Sequence, residues 1–586
     1  MFKAAFKTDR IWHSVVFLIV LVLLLARLPL MVNRGFDPDE FQHLHGGYCV
    51  SEGQVPYRDY YEHHPPGSPW LLSVLVHLGG HQWGTVLAAR ALMFVLCAVA
   101  LLITYRALRL QAGAQTAITS LVLLSGTLLF LQKSLEIRPD VPALLCWMGG
   151  LYLSLVAFKR EQLRRYALAG VVFGLGFLFT PKLAFGLIGL CLGLLWACVK
   201  RLGMARFGKA LLAPLILGSC ALVPLLCSLP LLAAQGALDG FVHNVIVMSV
   251  GWPQELLPSV YLREFIEQNP FIFLLGLVGF LRALWRSRAG GSIALIAGSA
   301  ATLVVGWFVI PVPWPQYLLP LFPLWAYFAA GVLEDFGRVL LWTVTRCRVD
   351  AGSRRGRLLS MAAALGAAVM ALAVQRVLGD GRPAVAAMGE AFFWGAGAAV
   401  LVSGASRRSD RARQLWFMGT VVVLTVLLMQ RLSASLVLIA PTVLLLYLVH
   451  ISDVARRPVA VLLLVCLAMP LAQIDALART RNTPMRTEFE AIMHLSTPND
   501  TVLTGWRGCA VFRPHAYRYF FLHDGMLRVL DDEDKGARVM QVLTSAPPEL
   551  VIYDQGVRSL SAAVNSFVTN RYEATGVGDI WLRASE

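Results

Sequence analysis

The 586 residues are 57% apolar and 15% charged, with a mean hydropathy of +0.65, against roughly 25% charged residues in an average soluble domain. That composition excludes a soluble globular protein and describes an integral membrane protein. The net charge of +16 does not describe a nucleic-acid binder, because the basic residues lie in short tracts between apolar stretches and form no single patch.

Apolar runs of about 15 to 25 residues, long enough to cross a bilayer, lie near 11–32, 84–104, 116–132, 140–158, 166–180, 182–198, 210–234, 270–286, 291–310, 316–337, 358–378, 388–404, 414–430, 432–450 and 458–474. Basic tracts at Lys3 to Arg10, Arg106 and Arg109, 159–165, 200–209, 282–288, 338–357, 407–413 and Arg456-Arg457 fall at every second connection. The positive-inside rule turns that regularity into a topology: an odd number of spans, a cytoplasmic N-terminus and an outer C-terminus. The first span is too long for a signal peptide and lacks the small-residue cleavage pattern. Thr180-Pro181 is expected to split 166–198 into two short helices. Residues 1–474 then form a polytopic α-helical membrane domain, and 475–586 a small soluble α/β domain outside it.

Outward segments 33–83 and 235–269 are long enough to build something. The first carries Asp37-Pro38-Asp39-Glu40, His43 and His45, then Tyr57-Arg58-Asp59 and His63-His64-Pro65-Pro66-Gly67. A solvated loop needs no such crowd of carboxylates and imidazoles at the lip of a bilayer. A site that deprotonates a hydroxyl and holds an anion needs both acids and cations. Trp70 to Leu78 is apolar but too short to span, so it is read as an amphipathic helix along the interface. The second segment contains Gly240 to Asn244, with His243, and Gly251-Trp252-Pro253.

In the tail, Glu488 to Leu495 has a helical pattern, 501–504 and 550–553 read as strands, and 579–582 as a third. The run Asp531 to Asp534 reads as a solvated face. Most of the ten cysteines fall inside expected spans, as buried thiols. Only Cys49 and Cys509 lie in outward segments, where a disulfide is permitted.

Further motifs sit at span ends: Arg138-Pro139-Asp140-Val141-Pro142, Thr180-Pro181-Lys182 and Trp314-Pro315-Gln316-Tyr317-Leu318-Leu319-Pro320. Together with Asp39-Glu40, the 53–59 segment and His64-Pro65-Pro66-Gly67, they resemble the motifs of GT-C glycosyltransferases. Within that group they resemble in particular the protein O-mannosyltransferase-like and aminoarabinose-transferase-like enzymes. The motif resemblance covers roughly 30–340 and implies a GT-C fold with many transmembrane helices. It also implies inverting transfer of a sugar from a polyprenyl-phosphate donor to a glycan, lipid or protein hydroxyl at the periplasmic face of a bacterial inner membrane.

Such a transfer needs a base for the acceptor hydroxyl and cations for the leaving phosphate. The resemblance places the base at Asp39, with Glu40 orienting the acceptor or the loop. The residues alone leave two other readings: Asp39 as the cap of a helix beginning at Glu40, or Asp37 as the base. Lys182, Arg138 and His64, with Arg58 behind them, are the phosphate-binding candidates. Asp140, Asp37, Tyr57, Asp59, Tyr317 and Gln316 are the substrate-binding ones. Arg138 could equally start a helix, and Tyr317 could be an interfacial aromatic. The relatives carry lysine where this chain has His64, so phosphate binding there is expected to depend on pH. Relatives with an arginine before the tyrosine differ from Gln316.

His63 and His243 fall where some relatives hold zinc. The family therefore leaves open a divalent metal (zinc, magnesium or manganese), beside the reading that these histidines bond substrate or backbone. The competing functions are a transferase using a diphosphate-linked oligosaccharide and a lipid-linked-sugar flippase. The latter would show repeat symmetry and mid-membrane charges, which the sequence lacks.

Overall fold

The computed structural model describes residues 2–252, 257–349 and 480–584, with scattered helical positions between 443 and 477. The expected spans 358–378, 388–404, 414–430 and 432–450 lie wholly or mostly outside the described residues, and 458–474 is described only at scattered helical positions. Among the described residues seven helices are long and apolar enough to cross a membrane: Trp12–Asn33, Trp83–Ala112, Asp140–Arg160, Leu183–Leu202, Met204–Ala234, Pro270–Ser287 and Ser292–Val309. Each coincides with an expected span.

Of three further expected spans, two depart in detail. Residues 116–132 form two helices, Ala114–Gly126 and Leu128–Lys133, separated at the extended Thr127. The expected break at Thr180-Pro181 is present, between the helices Leu163–Phe177 and Leu183–Leu202. The segment expected to be helical from 316 instead makes a 3-10 turn, Pro315–Leu318, and its long helix begins at Phe322. The prolines at 315, 320 and 323 explain this, because the residue before a proline is pushed out of the helical region and a proline lacks the amide that a helix interior uses.

Small residues let the spans approach closely. A Cβ on Gly189 would meet the Gly298 carbonyl oxygen at 2.1 Å, so Leu183–Leu202 and Ser292–Val309 pack backbone to backbone, as small residues allow between membrane helices.

Residues 33–83, expected to face outward, are organised by a short helix, Pro38–Ser51. Asp37 is its N-cap: Oδ1 accepts from the Asp39 amide at 3.1 Å, while the Asp37 amide donates to Glu40 Oε1 at 2.9 Å. This is a reciprocal capping box with proline in the first turn. The helix therefore begins two residues earlier than Glu40, and the capping role considered for Asp39 belongs to Asp37.

Glu40 is fully buried, and so is its partner Arg90 on Trp83–Ala112. Arg90 Nη2 donates to Glu40 Oε1 at 2.7 Å and Nε to Oε2 at 2.8 Å. Its remaining protons reach the carbonyls of Met31, Arg34 and Gly35, and the guanidinium lies 3.4 Å from the centre of the Phe36 ring. The Ile137 amide also donates to Glu40 Oε2, at 3.1 Å. One ion pair thus joins the end of the first span, the outer helix, the second span and the approach to the Asp140–Arg160 helix.

Gly67–Gly79 is the expected apolar helix, with Leu72 and Val76 buried and Val74 and Leu78 exposed. In 235–269 the chain forms a π-helical turn, Val242–Val247, and the helix Pro258–Gln268.

The tail contains the expected helix, Thr483–Leu495, and a four-stranded mixed sheet. Val502–Thr504 runs parallel to Leu550–Ile552, which pairs antiparallel with Ile580–Arg583, and Tyr572–Ala574 adds the outer strand. Three of these strands were expected. Tyr572–Ala574 was not, since only its tyrosine is buried and no alternation shows.

In the acidic run, Asp531 caps a turn through the Asp534 amide at 2.6 Å. Asp534, expected on a solvated face, is buried and accepts from the Tyr517 hydroxyl at 2.9 Å. Cys49 and Cys509 are both buried free thiols. Cys509 lies 3.5 Å from Glu488 Oε2, so the permitted disulfide is absent.

The sheet region seats on the outer helix. Gly508, at φ +70°, leaves no room for a Cβ, which would sit 2.7 Å from Phe41 Cβ. The Val511 carbonyl lies 2.9 Å from His45 Nδ1, and the Tyr61 amide donates to the Arg518 carbonyl at 3.1 Å.

Removing Glu40 leaves Arg90 buried without its counter-charge. Glu40→Ala is expected to destabilise the protein by about 3–5 kcal/mol, read as a lower thermal unfolding midpoint in detergent, with Glu40→Gln falling between it and wild type.

Candidate active site

The capping box aims the first turn of Pro38–Ser51 at the start of the Asp140–Arg160 span. Arg138 is nearly buried there. Its Nη2 contacts Asp39 Oδ2 and lies 3.3 Å from Asp37 Oδ1, while Nε donates to Glu136 Oε2 at 2.6 Å. Lys133 Nζ is 3.0 Å from Glu136 and 3.5 Å from Asp37, and Arg34 Nη1 is 3.3 Å from Glu136. Arg34, Lys133 and Arg138 are therefore matched by Asp37, Asp39 and Glu136. Burial pushes the Glu136 carboxyl upward, but Lys133, Arg138 and Arg34 outweigh it and hold it well below the usual range. Arg138 is held in its charged form by Asp39, Glu136 and Asp37 against the same desolvation.

Lys182 stands apart. It lies at the helix break just before Leu183–Leu202 and, among the described residues, makes no ion pair within 4.0 Å. Its Nζ rests 3.1 Å from the centre of the Tyr317 ring, a cation–π contact. Burial brings its pKa down to about 7, against the opposing charge of Asp140 and with Arg138 adding to the depression. Asp140, whose charge acts on Lys182, is buried at the start of the fourth-span helix, and Gln316 is buried next to Tyr317 in the 3-10 turn.

His64 reaches the same place because Gly67 packs directly on the helix break. The Gly67 amide donates to the Leu178 carbonyl at 2.7 Å, and a Cβ there would approach that oxygen to 2.5 Å. His64 Nδ1 is 3.0 Å from Glu62 Oε1, an oxygen that also accepts the amides of His63 and His64 at 2.9 and 2.8 Å. Burial, then the charges of Lys182 and Arg138, take the His64 pKa down to about 3. The expected titration near neutrality is thus corrected: His64 is a neutral imidazole across the physiological range. His43, whose ring centre is 4.8 Å from that of His64, is also held down, by burial and then by His64 and Arg138.

Several sequence candidates occupy other roles. Arg58 and Asp59 pair with each other at 2.8 Å, partly exposed, and Arg58 Nη1 donates to the Gln235 carbonyl at 3.0 Å, so they staple the loop to the end of a span. Tyr57 is buried at φ +69°, donates its hydroxyl to the His64 carbonyl at 2.7 Å and packs edge-on against Phe241. It positions His64. Glu40 has both oxygens engaged and orients the loop rather than an acceptor. His63 does not join His243, which is exposed on the π-helical turn. The metal-type group among the described residues is Glu62, His63 and His64, with ligand atoms within 4.8 Å of one another.

Glu62, Glu136, Lys133, Arg34 and Arg90 were not singled out in the sequence. The signal was available: Glu136 lies two residues before Arg138 and Glu62 directly before two histidines, at span ends where a buried acid is costly and calls for a partner.

Residues 63–226 match the family model described as dolichyl-phosphate-mannose-protein mannosyltransferase. No curated protein gives a sequence match. Among solved structures, the crystal structure of ArnT from Cupriavidus metallidurans in the apo state is similar with a TM-score of 0.54 at 16% identity, covering 92% of this chain and 92% of that one. The same enzyme bound to undecaprenyl phosphate gives 0.52 at 15%, covering 92% and 88%. The Archaeoglobus fulgidus oligosaccharyltransferase in the apo form gives 0.48 at 12%, covering 98% and 74%. At these identities the likeness to ArnT is one of fold, and the family match lies over the segment that carries His64, Arg138, Asp140 and Lys182. The chain is thus a protein of many spans with the fold of ArnT, and residues 63–226 carry the match to the dolichyl-phosphate-mannose-protein mannosyltransferase family model.

Proposed function

We propose that this protein is a GT-C glycosyltransferase that moves a sugar from a polyprenyl-phosphate donor to an acceptor hydroxyl at the periplasmic face of a bacterial inner membrane, with inversion and with Asp39 as general base. The N-terminus is then cytoplasmic and the region from 475 periplasmic. The observation that carries the reading is the convergence of a partly accessible carboxylate, Asp39, and a half-buried lysine without an ion pair among the described residues, Lys182, at one end of the spans. The undecaprenyl phosphate named for the ArnT complex supports the donor class.

In the proposed step the acceptor oxygen attacks the anomeric carbon and its proton passes to Asp39. The bond from that carbon to the phosphate oxygen breaks, and the polyprenyl phosphate leaves with the electron pair. Lys182 meets the charge on that phosphate in a site of low dielectric, where a fixed cation counts for more than in water. Arg138 holds Asp39 in place. Asp37, already committed to its cap and to Arg138 and Lys133, is the poorer base.

Asp140 opposes the Lys182 charge between turnovers, and Tyr317 supports its ammonium. Glu62, His63 and His64 are the residues that would hold a divalent ion. The fit is chemical: Glu62 Oε2 and His63 Nδ1 are buried without hydrogen-bond partners, and imidazole with carboxylate is a zinc-type donor set. Such an ion would supply further positive charge for the phosphate.

Asp39→Asn should lower transfer by about a hundredfold or more while polyprenyl-phosphate binding persists. Transfer at the wild-type rate by the folded variant would refute the assignment. The Lys182 pKa of about 7 gives a pH test with a definite sign. A bound phosphate raises that pKa, so donor binding takes up a proton at pH 8 and little at pH 6, and donor KM rises as pH increases above 7. Lys182→Arg, with its fixed charge, should flatten that rise. A KM profile in wild type that is already flat from pH 6 to 9 would count against Lys182 as the phosphate ligand.

A further inference from the structure

Between the outer helix and the tail sits a narrow slot lined by Pro38, Gln42, His45, Thr504, Trp506 and Phe521, among others. Pro38 directly precedes Asp39. Gln42, His45 and Thr504 are each more than nine-tenths buried, and Gln42 Nε2, His45 Nε2 and Thr504 Oγ1 have no hydrogen-bond partner. Buried polar atoms are rarely left so.

Their chemistry is specific. His45 Nδ1 faces the Val511 carbonyl at 2.9 Å, which can only accept, so Nδ1 carries the proton and Nε2 is left as an acceptor. Burial holds the His45 pKa near 4, so this tautomer is neutral at physiological pH. Gln42 Nε2 is a donor. An acceptor and a donor beside a slot of molecular-water dimensions match one hydroxyl group, which gives one hydrogen bond and takes another. The lining holds no lysine, arginine or carboxylate, so it offers nothing to an ammonium or a phosphate.

Around the slot the surface is aromatic. The half-buried Trp506 ring lies 4.5 Å from Phe521 and 5.0 Å from His523, and His523 stacks on Trp252 at 5.9 Å with 25° between planes. Trp252 in turn lies 6.1 Å from His63, at 24°. Flat apolar faces beside hydroxyl-matched polar groups are complementary to a sugar ring, which is apolar on its face and polar at its edge.

We propose that this slot and its aromatic rim are the acceptor subsite, and that the acceptor is a glycan. One neutral pyranose stacks on Trp506 and seats a hydroxyl between Gln42 and His45, beside Asp39. The inference rests on the glycosyltransferase reading above and narrows its acceptor to carbohydrate.

The test compares wild type, Trp506→Ala, Trp506→Phe and Gln42→Leu with a polyprenyl-phosphate hexose donor and two acceptor classes, an envelope glycan fraction and a serine- and threonine-rich polypeptide. The expected result is transfer to glycan, with acceptor KM raised about tenfold in Trp506→Ala and in Gln42→Leu, donor KM unchanged and Trp506→Phe close to wild type. An unchanged glycan KM in both disruptive variants, as for a slot that holds structural water only, overturns the proposal. So does transfer to polypeptide alone.

Failure of the donor reading looks different: wild type then neither turns over nor binds polyprenyl phosphate. In that event saturation-transfer NMR with neutral hexose and N-acetylhexosamine oligosaccharides still decides. Ring-proton saturation that is lost in Trp506→Ala supports the subsite, and its absence for every sugar overturns it.

Discussion

Arg90 and Glu40 are two opposite charges withdrawn completely from water, and one end of the membrane-spanning bundle is arranged around their contact. Desolvating such a pair is expensive, and the cost is offset only where every remaining donor and lone pair also finds a partner. Here they do: Arg90 collects the carbonyls of Met31, Arg34 and Gly35, and Glu40 collects the amides of Asp37 and Ile137. Those partners come from the first span, the outer helix and the approach to the fourth. Satisfying one buried pair therefore fixes the relative position of the elements that carry Asp37, Asp39 and Arg138.

Around that fixed point the charges divide into two kinds. Arg34, Lys133 and Arg138 are spoken for by Asp37, Asp39 and Glu136, so they hold shape. Lys182 is left with the face of an aromatic ring and more distant carboxylates, in surroundings that already favour loss of its proton. A dianionic or monoanionic phosphate arriving there would supply the missing partner. The same logic separates the histidines. His64 and His43 are held toward the neutral form and serve as polar fittings of the site: burial, then Lys182 and Arg138, disfavour a further positive charge on His64, and burial, then His64 and Arg138, disfavour it on His43.

The site is also a composite in chain order. His64 arrives through a loop pinned by Gly67 to the break at Leu178, Lys182 by that break itself, Tyr317 by a turn that prolines keep from becoming helix, and the tail by docking Gly508 onto Phe41. Each is a place where regular structure stops. Backbone groups freed at such breaks must be satisfied within the protein, which draws otherwise remote segments together.

Hydropathy and charge spacing determined much by themselves. Length and apolarity of the runs specify the spans, because a bilayer demands about twenty apolar residues per crossing, and every candidate span among the described residues coincides with an expected one. The motifs at span ends pointed to Asp39, Arg138 and Lys182 as one site. What only the tertiary structure decided was partnership. No periodicity shows that Glu40 faces Arg90 fifty residues away, that Asp37 and not Asp39 caps the helix, that Arg58 spends its charge on Asp59, or that His63 groups with Glu62 and not with His243. Nor could sequence show that His64 is neutral, since its proton affinity depends on the burial and the cations around it. Spans are local consequences of the chain's solubility in lipid, whereas ion pairs and protonation states depend on which distant groups folding brings within a few ångströms.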